Sequence, residues 1–286
     1  MVSIAQLMRN SGIAAVDARV LLRTVLGEND AYLIAHAGDE VSAQHETQFR
    51  VVAARRACGE PVAYIVGERE FYGRVFAVSS TVLIPRPETE LLVELALQRL
   101  PRDEPRRVLD LGTGSGCIAI CIALERSTAH VTATDRSEAA LYVAMKNAQR
   151  LSASNIEFRA GDWFSAIKGE RFDVIVSNPP YVAAGNAHLA QGDLRFEPMA
   201  ALAAGTDGLD CIRAIVADAP GHLERGGSLL LEHGYDQSEG CRALLAAAGF
   251  TQVQSWRDIA GIERITGGRN GTGAIVKAGA RMTREG

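Results

Sequence analysis

The chain has 286 residues, of which 47% are hydrophobic and 22% charged, a composition typical of an ordinary globular protein of about two domains. Its net charge of −4 argues against a broad basic surface for duplex DNA or RNA, so we expect no direct nucleic-acid binding. No signal-peptide core and no long apolar run is present, so we predict a cytoplasmic protein without a membrane partner.

Cysteine and histidine are too scattered to indicate a metal site. The five cysteines form no Cys-x2-Cys pair, and the six histidines lack the spacing of metal ligands. We therefore predict reduced, mostly buried thiols and no bound metal.

The first part of the chain is patterned as helices. Apolar residues recur at helical intervals between Ala15 and Val25, and Gly27 closes that segment. Shorter and longer helices are expected at 30–37 and 42–57, with Ser42 as a cap. The pattern predicts a small helical domain over residues 1–60.

After residue 60 the composition changes, and aromatic and β-branched residues become frequent. Two such runs flank Gly73-Arg74, which predicts a β-hairpin linker over residues 61–86. Pro87 is expected at or near the first position of a helix that covers 91–100, with Glu88 and Glu90 favourable in its first turn.

From residue 107 onward, predicted strands alternate with predicted helices. This alternation favours an α/β fold with a twisted, mainly parallel sheet and helices on both faces, over residues 87–268. We predict a break in the third helix at Pro220-Gly221 and a flexible tail over residues 269–286. Strands are expected at 107–111, 129–134, 155–159, 172–177, 227–232, 250–256 and 262–266, and helices at 116–126, 137–151, 207–219 and 237–248.

A glycine-rich turn follows the first strand of that sheet. Residues 112–116 read Gly-Thr-Gly-Ser-Gly, and Asp135 ends the next strand 23 positions after Gly112, close to the roughly 20 expected for an acid that accepts ribose hydroxyls. NAD(P), FAD and S-adenosylmethionine are all candidates. The dinucleotide pattern would place its third glycine at position 117, where this chain has Cys117, and this favours S-adenosylmethionine.

Asp162 and Trp163 follow the third strand, where an acid and an aromatic ring would suit an adenine ring. The alternative is that Trp163 belongs to the core.

A rigid loop, Asn178-Pro179-Pro180-Tyr181, follows the buried strand 172–177. Both residues that precede a proline are driven toward extended backbone, and neither proline has an N–H. The loop therefore presents the Asn178 amide oxygen and backbone carbonyls as acceptors, and Tyr181 offers a flat face. An NH2 group on a planar carbon would fit such a site.

Taken together, these motifs resemble the HemK-type release factor glutamine methyltransferases. The resemblance covers roughly residues 10–268, and Val182 and Ala204 depart from it. Beyond residues 110–116 and 178–181, it rests on residues 59–67, 71–73, 82–90, 196–198 and 231–234.

The resemblance implies a class I, Rossmann-like methyltransferase sheet of seven strands. It also implies methyl transfer from S-adenosylmethionine to the glutamine of the Gly-Gly-Gln motif in class 1 peptide chain release factors. The helical N-terminal domain would help to dock the release factor. The cofactor would contact Gly112, Thr113, Gly114, Ser115, Gly116, Asp135, Trp163 and Asn178, and the glutamine would be held by Asn178, Pro179, Pro180 and Tyr181.

Two other functions are compatible with the same motifs. Adenine also carries an NH2 on a planar carbon, so an adenine-N6 methyltransferase for DNA or RNA is the first alternative. A nucleotide-binding oxidoreductase or a non-catalytic binding module is the second. The net negative charge argues against the first, and the glycine spacing together with the 178–181 loop argues against the second.

Overall fold

The computed structural model describes residues 2–271, and its N-terminal part is a helical domain with a core of its own. Ser42 caps the fourth helix by accepting a hydrogen bond from the His45 N–H, and Gly27 ends the second helix with a left-handed φ of 71°. The predicted helical structure of this part of the chain is therefore confirmed. The helices are α1 (Ile4–Arg9), α2 (Ala15–Leu26), α3 (Asp30–Ala35), α4 (Ala43–Ala57) and α5 (Val62–Val66).

The linker contains one helix that its composition did not indicate. Residues 62–66 form α5, because Pro61 precedes the turn, Gly67 ends it and three of its apolar side chains pack on the N-terminal core. Aromatic and β-branched residues are common on any half-buried surface, so their frequency in this segment does not by itself indicate a strand. The hairpin itself is present, as β1 (Glu68–Phe71) and β2 (Arg74–Ala77).

The second part of the chain alternates strands and helices as predicted. Pro87 opens a 3-10 turn, Pro87–Thr89, directly before α6, which confirms its place at a helix start. The elements that follow are α6 (Glu90–Leu97), β3 (Arg107–Leu111), α7 (Cys117–Glu125), β4 (His130–Asp135), α8 (Glu138–Leu151), β5 (Ile156–Ala160), β6 (Phe172–Ser177), α9 (Asp210–His222), β7 (Leu223–Glu232), α10 (Ser238–Ala247), β8 (Phe250–Arg257) and β9 (Glu263–Asn270).

These strands form one seven-stranded sheet in the order β5-β4-β3-β6-β7-β9-β8, mainly parallel with β9 antiparallel to both its neighbours. The predicted fold class is confirmed. The strand order reverses between β3 and β6, which pair so that Leu111 lies opposite Ser177. The glycine turn and the Asn-Pro-Pro-Tyr loop therefore leave the sheet side by side at its switch point, where α/β sheets bind ligands.

Several predicted boundaries were wrong, and β7 begins at Leu223 rather than at the predicted position 227. Helix α9 continues through Pro220 to His222, because its buried face, which includes Ile215 and Ala219, packs on the sheet up to the start of β7. Strand β9 extends to Asn270, into the predicted tail, because it pairs on both edges. The tail beyond residue 271 lies outside the described residues.

Among the helices of the described residues, none is long and apolar enough to span a bilayer.

Candidate active site

Two cavities meet at the carboxyl edge of the sheet, and Asn178 lines both. The first has a volume of about 220 Å³ and is lined by the glycine turn, Asp135 and Trp163. The second has a volume of about 660 Å³ and is lined by Pro179 and Tyr181. The side chain of Asn178 therefore lies where a ligand in one cavity would meet a ligand in the other.

The glycine turn folds as it does because three of its residues have left-handed backbone. Gly112, Gly114 and Gly116 have φ of 73°, 56° and 82°. A Cβ on Gly114 would meet nothing within 4 Å, so the backbone there is open to a ligand. A Cβ on Gly116 would lie 2.9 Å from Ile120 and 3.1 Å from Ala144, so this glycine permits close packing of α7 on α8.

Four of the five predicted residues of the turn, at positions 112–115, line the first cavity. Within the described chain, Gly116 is not among the lining residues, and its predicted contact with the cofactor stays a prediction.

Asp135 connects the second strand to this turn. One carboxylate oxygen accepts a hydrogen bond from the Gly114 N–H at 2.9 Å, and the other accepts from the Ser137 N–H at 2.8 Å. Each carboxylate oxygen has a second lone pair, so Asp135 can still accept from hydroxyl groups in the cavity that it lines.

A buried carboxyl group, that of Asp110, stabilises the glycine turn through a hydrogen bond. The Thr113 hydroxyl donates to Asp110 at 2.7 Å, and both side chains are buried. Burial raises the pKa of Asp110 to about 7, although the Thr113 hydrogen bond opposes the rise. Asp110 holds the loop and does not line the cavity among the described residues.

Trp163 packs on the core and also lines the first cavity, and its contact with an adenine ring stays a prediction. It opens a 3-10 turn, Trp163–Ala166, with a positive φ of 45°, and packs against the core on one side. On the other side it lines the first cavity with Asp162, and a Cβ on Gly112 would lie 3.7 Å from its ring.

Three hydrogen bonds to other parts of the chain hold the Asn-Pro-Pro-Tyr loop in place. The Asn178 side-chain nitrogen donates to the Thr89 hydroxyl at 3.2 Å, and the Tyr181 hydroxyl donates to Glu232 at 3.3 Å. The Gln237 side chain donates to the Tyr181 carbonyl at 3.0 Å. Burial raises the pKa of Tyr181, so it remains a neutral phenol.

The hairpin linker covers the first cavity and is anchored by an ion pair. Arg86 pairs with the buried Glu197, which also accepts from the Ile84 N–H at 3.4 Å. Burial raises the pKa of Glu197 and Arg86 opposes that rise. Six residues of this segment and the turn after it line the first cavity: Thr81, Val82, Leu83, Pro85, Arg86 and Thr89.

Sequence reasoning missed the bracing residues Thr89, Arg86 and Gln237. For Thr89 and Arg86, the signal in the sequence is the segment Pro85-Arg86-Pro87-Glu88-Thr89-Glu90, which predicts a helix start and contributes to the family resemblance but does not indicate a bracing contact. For Gln237, we find no signal in the sequence.

The first cavity suits an adenosyl ligand with an attached amino acid. It offers open backbone at Gly114, a carboxylate at Asp135 and an aromatic face beside an acid at residues 162–163. In the described part of the chain, no group of three or more His, Cys, Asp or Glu side chains could hold a metal ion.

Comparison with known proteins identifies two family models and many relatives. Residues 88–194 match the Methyltransferase small domain, and residues 3–67 match the PrmC N-terminal domain. The release factor glutamine methyltransferase of Bordetella pertussis is 53% identical over 269 residues, which cover 94% of this chain and 99% of that protein. The enzyme of the same name from Salmonella typhimurium is 44% identical over 262 residues, covering 92% and 94%.

Solved structures agree on the fold. A methyltransferase from Pyrococcus furiosus matches with a TM-score of 0.53 at 18% identity, over 77% of this chain and 98% of that one. The T. thermophilus 16S rRNA N2 G1207 methyltransferase, in complex with AdoMet and guanosine, matches with a TM-score of 0.52 at 21% identity, over 71% and 49%. At these identities the likeness concerns the fold alone.

Proposed function

The chain belongs to the release factor glutamine methyltransferase family, and from that membership we propose the reaction and the residues that carry it out. The protein transfers a methyl group from S-adenosylmethionine to the side-chain amide nitrogen of a release factor glutamine. We assign this glutamine to the Gly-Gly-Gln motif of bacterial class 1 release factors. The observation that carries the assignment is the position of Asn178, between a cavity fit for the methyl donor and a second cavity open to a side chain.

The residues of the first cavity divide into those that hold the nucleoside and those that hold the amino acid. We assign the ribose hydroxyls to Asp135 and the adenine ring to Asp162 and Trp163. The backbone of residues 112–115 accommodates the methionine part of the donor, because Gly112 and Gly114 leave no side chain in the way. S-adenosylmethionine supplies an electrophilic methyl group when bound.

The task of this protein is to orient a weak nucleophile. An amide nitrogen reacts poorly because its lone pair is delocalised into the carbonyl, so orientation and local electrostatics must supply the acceleration. The Asn178 side-chain oxygen and the Pro179 carbonyl oxygen each accept a hydrogen bond from one N–H of the glutamine amide. These contacts turn the lone pair toward the first cavity and stabilise positive charge that develops on nitrogen.

No strong base is required at this site. Tyr181 is held as a neutral phenol by its burial, and it contributes a face and a fixed loop geometry rather than a proton acceptor. The amide proton is lost to solvent late, after methyl transfer has left a positive charge on the nitrogen and made its protons acidic.

The helical domain is the proposed docking element for the release factor. It exposes one large apolar side chain on each of three of its helices. These residues are Val16, Ile34 and Val51. The same domain contacts the rim of the second cavity through Arg56 and Asp193, 3.0 Å apart.

The test is methylation of two substrates side by side. A purified class 1 release factor and an adenine-containing oligonucleotide are each incubated with the protein and S-adenosylmethionine, and the products are analysed by mass spectrometry. We expect one added methyl group on the peptide that contains Gly-Gly-Gln, and none on the oligonucleotide. Methylation of the oligonucleotide alone would favour the adenine-N6 alternative and overturn the proposal.

A further inference from the structure

A buried relay of polar side chains lies behind the amide of Asn178. Its first member is Thr89, whose hydroxyl oxygen accepts from the Asn178 side-chain nitrogen at 3.2 Å. Its second member is Glu232: one carboxylate oxygen accepts from the Tyr181 hydroxyl at 3.3 Å, and the other is buried without a hydrogen-bond partner within the described residues. Burial raises the pKa of this carboxyl, and the nearby Thr89 hydroxyl opposes the rise. Thr89 is 2% exposed and Glu232 is 0% exposed, so water does not compete for these contacts.

The hydrogen bond between Asn178 and Thr89 fixes the direction of the amide. The side-chain nitrogen of Asn178 donates and the Thr89 hydroxyl oxygen accepts. The hydroxyl keeps its own single hydrogen for another acceptor, and the Glu232 oxygen that has no partner among the described residues is buried nearby. The NH2 of the Asn178 amide must then face Thr89, and its oxygen must face the opposite way.

This orientation matters because the two ends of an asparagine amide are nearly equal in shape but opposite in hydrogen bonding. Within residues 2–271, the Asn178 side-chain oxygen has no hydrogen-bond partner, and Asn178 lines both cavities. With the amide reversed, an NH2 would face the NH2 of the glutamine, and neither group could accept from the other.

We propose that Thr89 is a positioning residue for methyl transfer: its hydroxyl accepts from the Asn178 side-chain nitrogen and so holds Asn178 with the amide oxygen toward the substrate glutamine. The inference rests on the proposed function, because that glutamine is the group being oriented. Thr89 does not touch the reacting atoms in this assignment and acts through Asn178.

The test compares two substitutions at one position. Thr89→Val keeps the shape and removes the hydroxyl, whereas Thr89→Ser keeps the hydroxyl and removes a methyl group. The buried Thr132, which has no hydrogen-bond partner for its side chain within the described chain, provides the matched control Thr132→Val. Single-turnover methylation of a release factor, the KM for that substrate, S-adenosylmethionine affinity by calorimetry and the thermal midpoint are measured for each.

We expect Thr89→Val to slow methyl transfer by about tenfold or more, since one well-placed hydrogen-bonding contact is typically worth 10²–10³ and this one acts indirectly. The KM and the cofactor affinity should stay near the unsubstituted values. Thr89→Ser should remain within about threefold, as a hydroxyl is restored. Thr132→Val should methylate like the unsubstituted protein.

Equal rates for the valine and serine variants would overturn the proposal, and so would a loss confined to cofactor binding. If Thr89→Val does not fold, the pair Thr89→Ala and Thr89→Ser replaces it, and the alanine variant must be the slower by the same factor. If the unsubstituted protein fails to methylate the release factor, the proposed function fails instead, and the two failures are thereby distinguished.

Discussion

The carboxylate of Asp135 accepts a hydrogen bond from the backbone N–H of Gly114, with 2.9 Å between the two atoms. The acid at the end of β4 and the glycine turn after β3 are therefore one unit. Asp135 holds the turn in shape and faces the same cavity as the turn.

Asp135→Ala should weaken S-adenosylmethionine binding by at least about tenfold. The substitution removes an acceptor for ribose hydroxyls and releases the turn, and a hydrogen bond to a charged group contributes about 1.5–3 kcal/mol. Calorimetric titration measures the change, with the exposed Asp103→Ala as the control of equal charge change. Unchanged affinity in the Asp135 variant would remove this residue from the cofactor site.

Gly208→Ala should impair catalysis through the Asn-Pro-Pro-Tyr loop. A Cβ at this position would lie 2.3 Å from the Tyr181 carbonyl oxygen and 2.6 Å from the Gln237 side-chain nitrogen, so the brace between those two groups must shift. A misplacement of about 1 Å near reacting groups can cost on the order of 10²-fold in rate.

Gly226→Ala is the matched control for that substitution. Gly226 has a φ of 75°, close to the 77° of Gly208, but a Cβ there meets nothing within 4 Å. Both variants should lose about 1–2 kcal/mol of stability from the left-handed backbone. Only Gly208→Ala should lower kcat, and equal kcat values in the two variants would show that the loop brace is dispensable.

Glu232→Gln should make the protein more stable at high pH than at low pH, relative to the unsubstituted chain. Burial raises the pKa of Glu232 to about 7 from its ordinary value, so folding disfavours the carboxylate. The stability of the unsubstituted protein is therefore highest when this group is protonated, and it falls as pH rises from about 4.5 to about 7. Glutamine has no such dependence.

Urea unfolding at about pH 5 and about pH 8 measures this difference. The gain of Glu232→Gln should be larger at the higher pH by about 2–3 kcal/mol, because each unit of pKa shift corresponds to about 1.4 kcal/mol. The exposed Glu28→Gln should show no pH-dependent gain. A gain for Glu232→Gln that is equal at both pH values would contradict the buried-charge account.

The sheet and its two cavity-lining turns were predictable because buried parallel strands are continuous apolar runs. Strands β3 and β6 were predicted at their observed bounds, and each ends at the motif that follows it. The pairing of Leu111 with Ser177 was not predictable in the same way. It depends on the order of the strands in the sheet, and the local sequence pattern of a strand carries no information on that order.

The bracing of the site was not predictable from local pattern. The contact of Thr89 with Asn178 joins residues 89 positions apart, and that of Arg86 with Glu197 joins residues 111 positions apart. Both depend on how the linker folds back over the sheet edge. Gly116 matches the glycine motif, yet its missing side chain makes room for Ile120 and Ala144, a reason visible only in three dimensions.

The most direct test of the central claim is the single-turnover methylation rate of Asn178→Ala, measured on a purified release factor with saturating S-adenosylmethionine. We expect a rate lower by about 10²–10³, with cofactor affinity within about twofold of the unsubstituted protein, because the lost contact orients the substrate amide. A near-normal rate, or a rate that falls only as far as cofactor binding falls, would contradict the assignment of Asn178 to the glutamine.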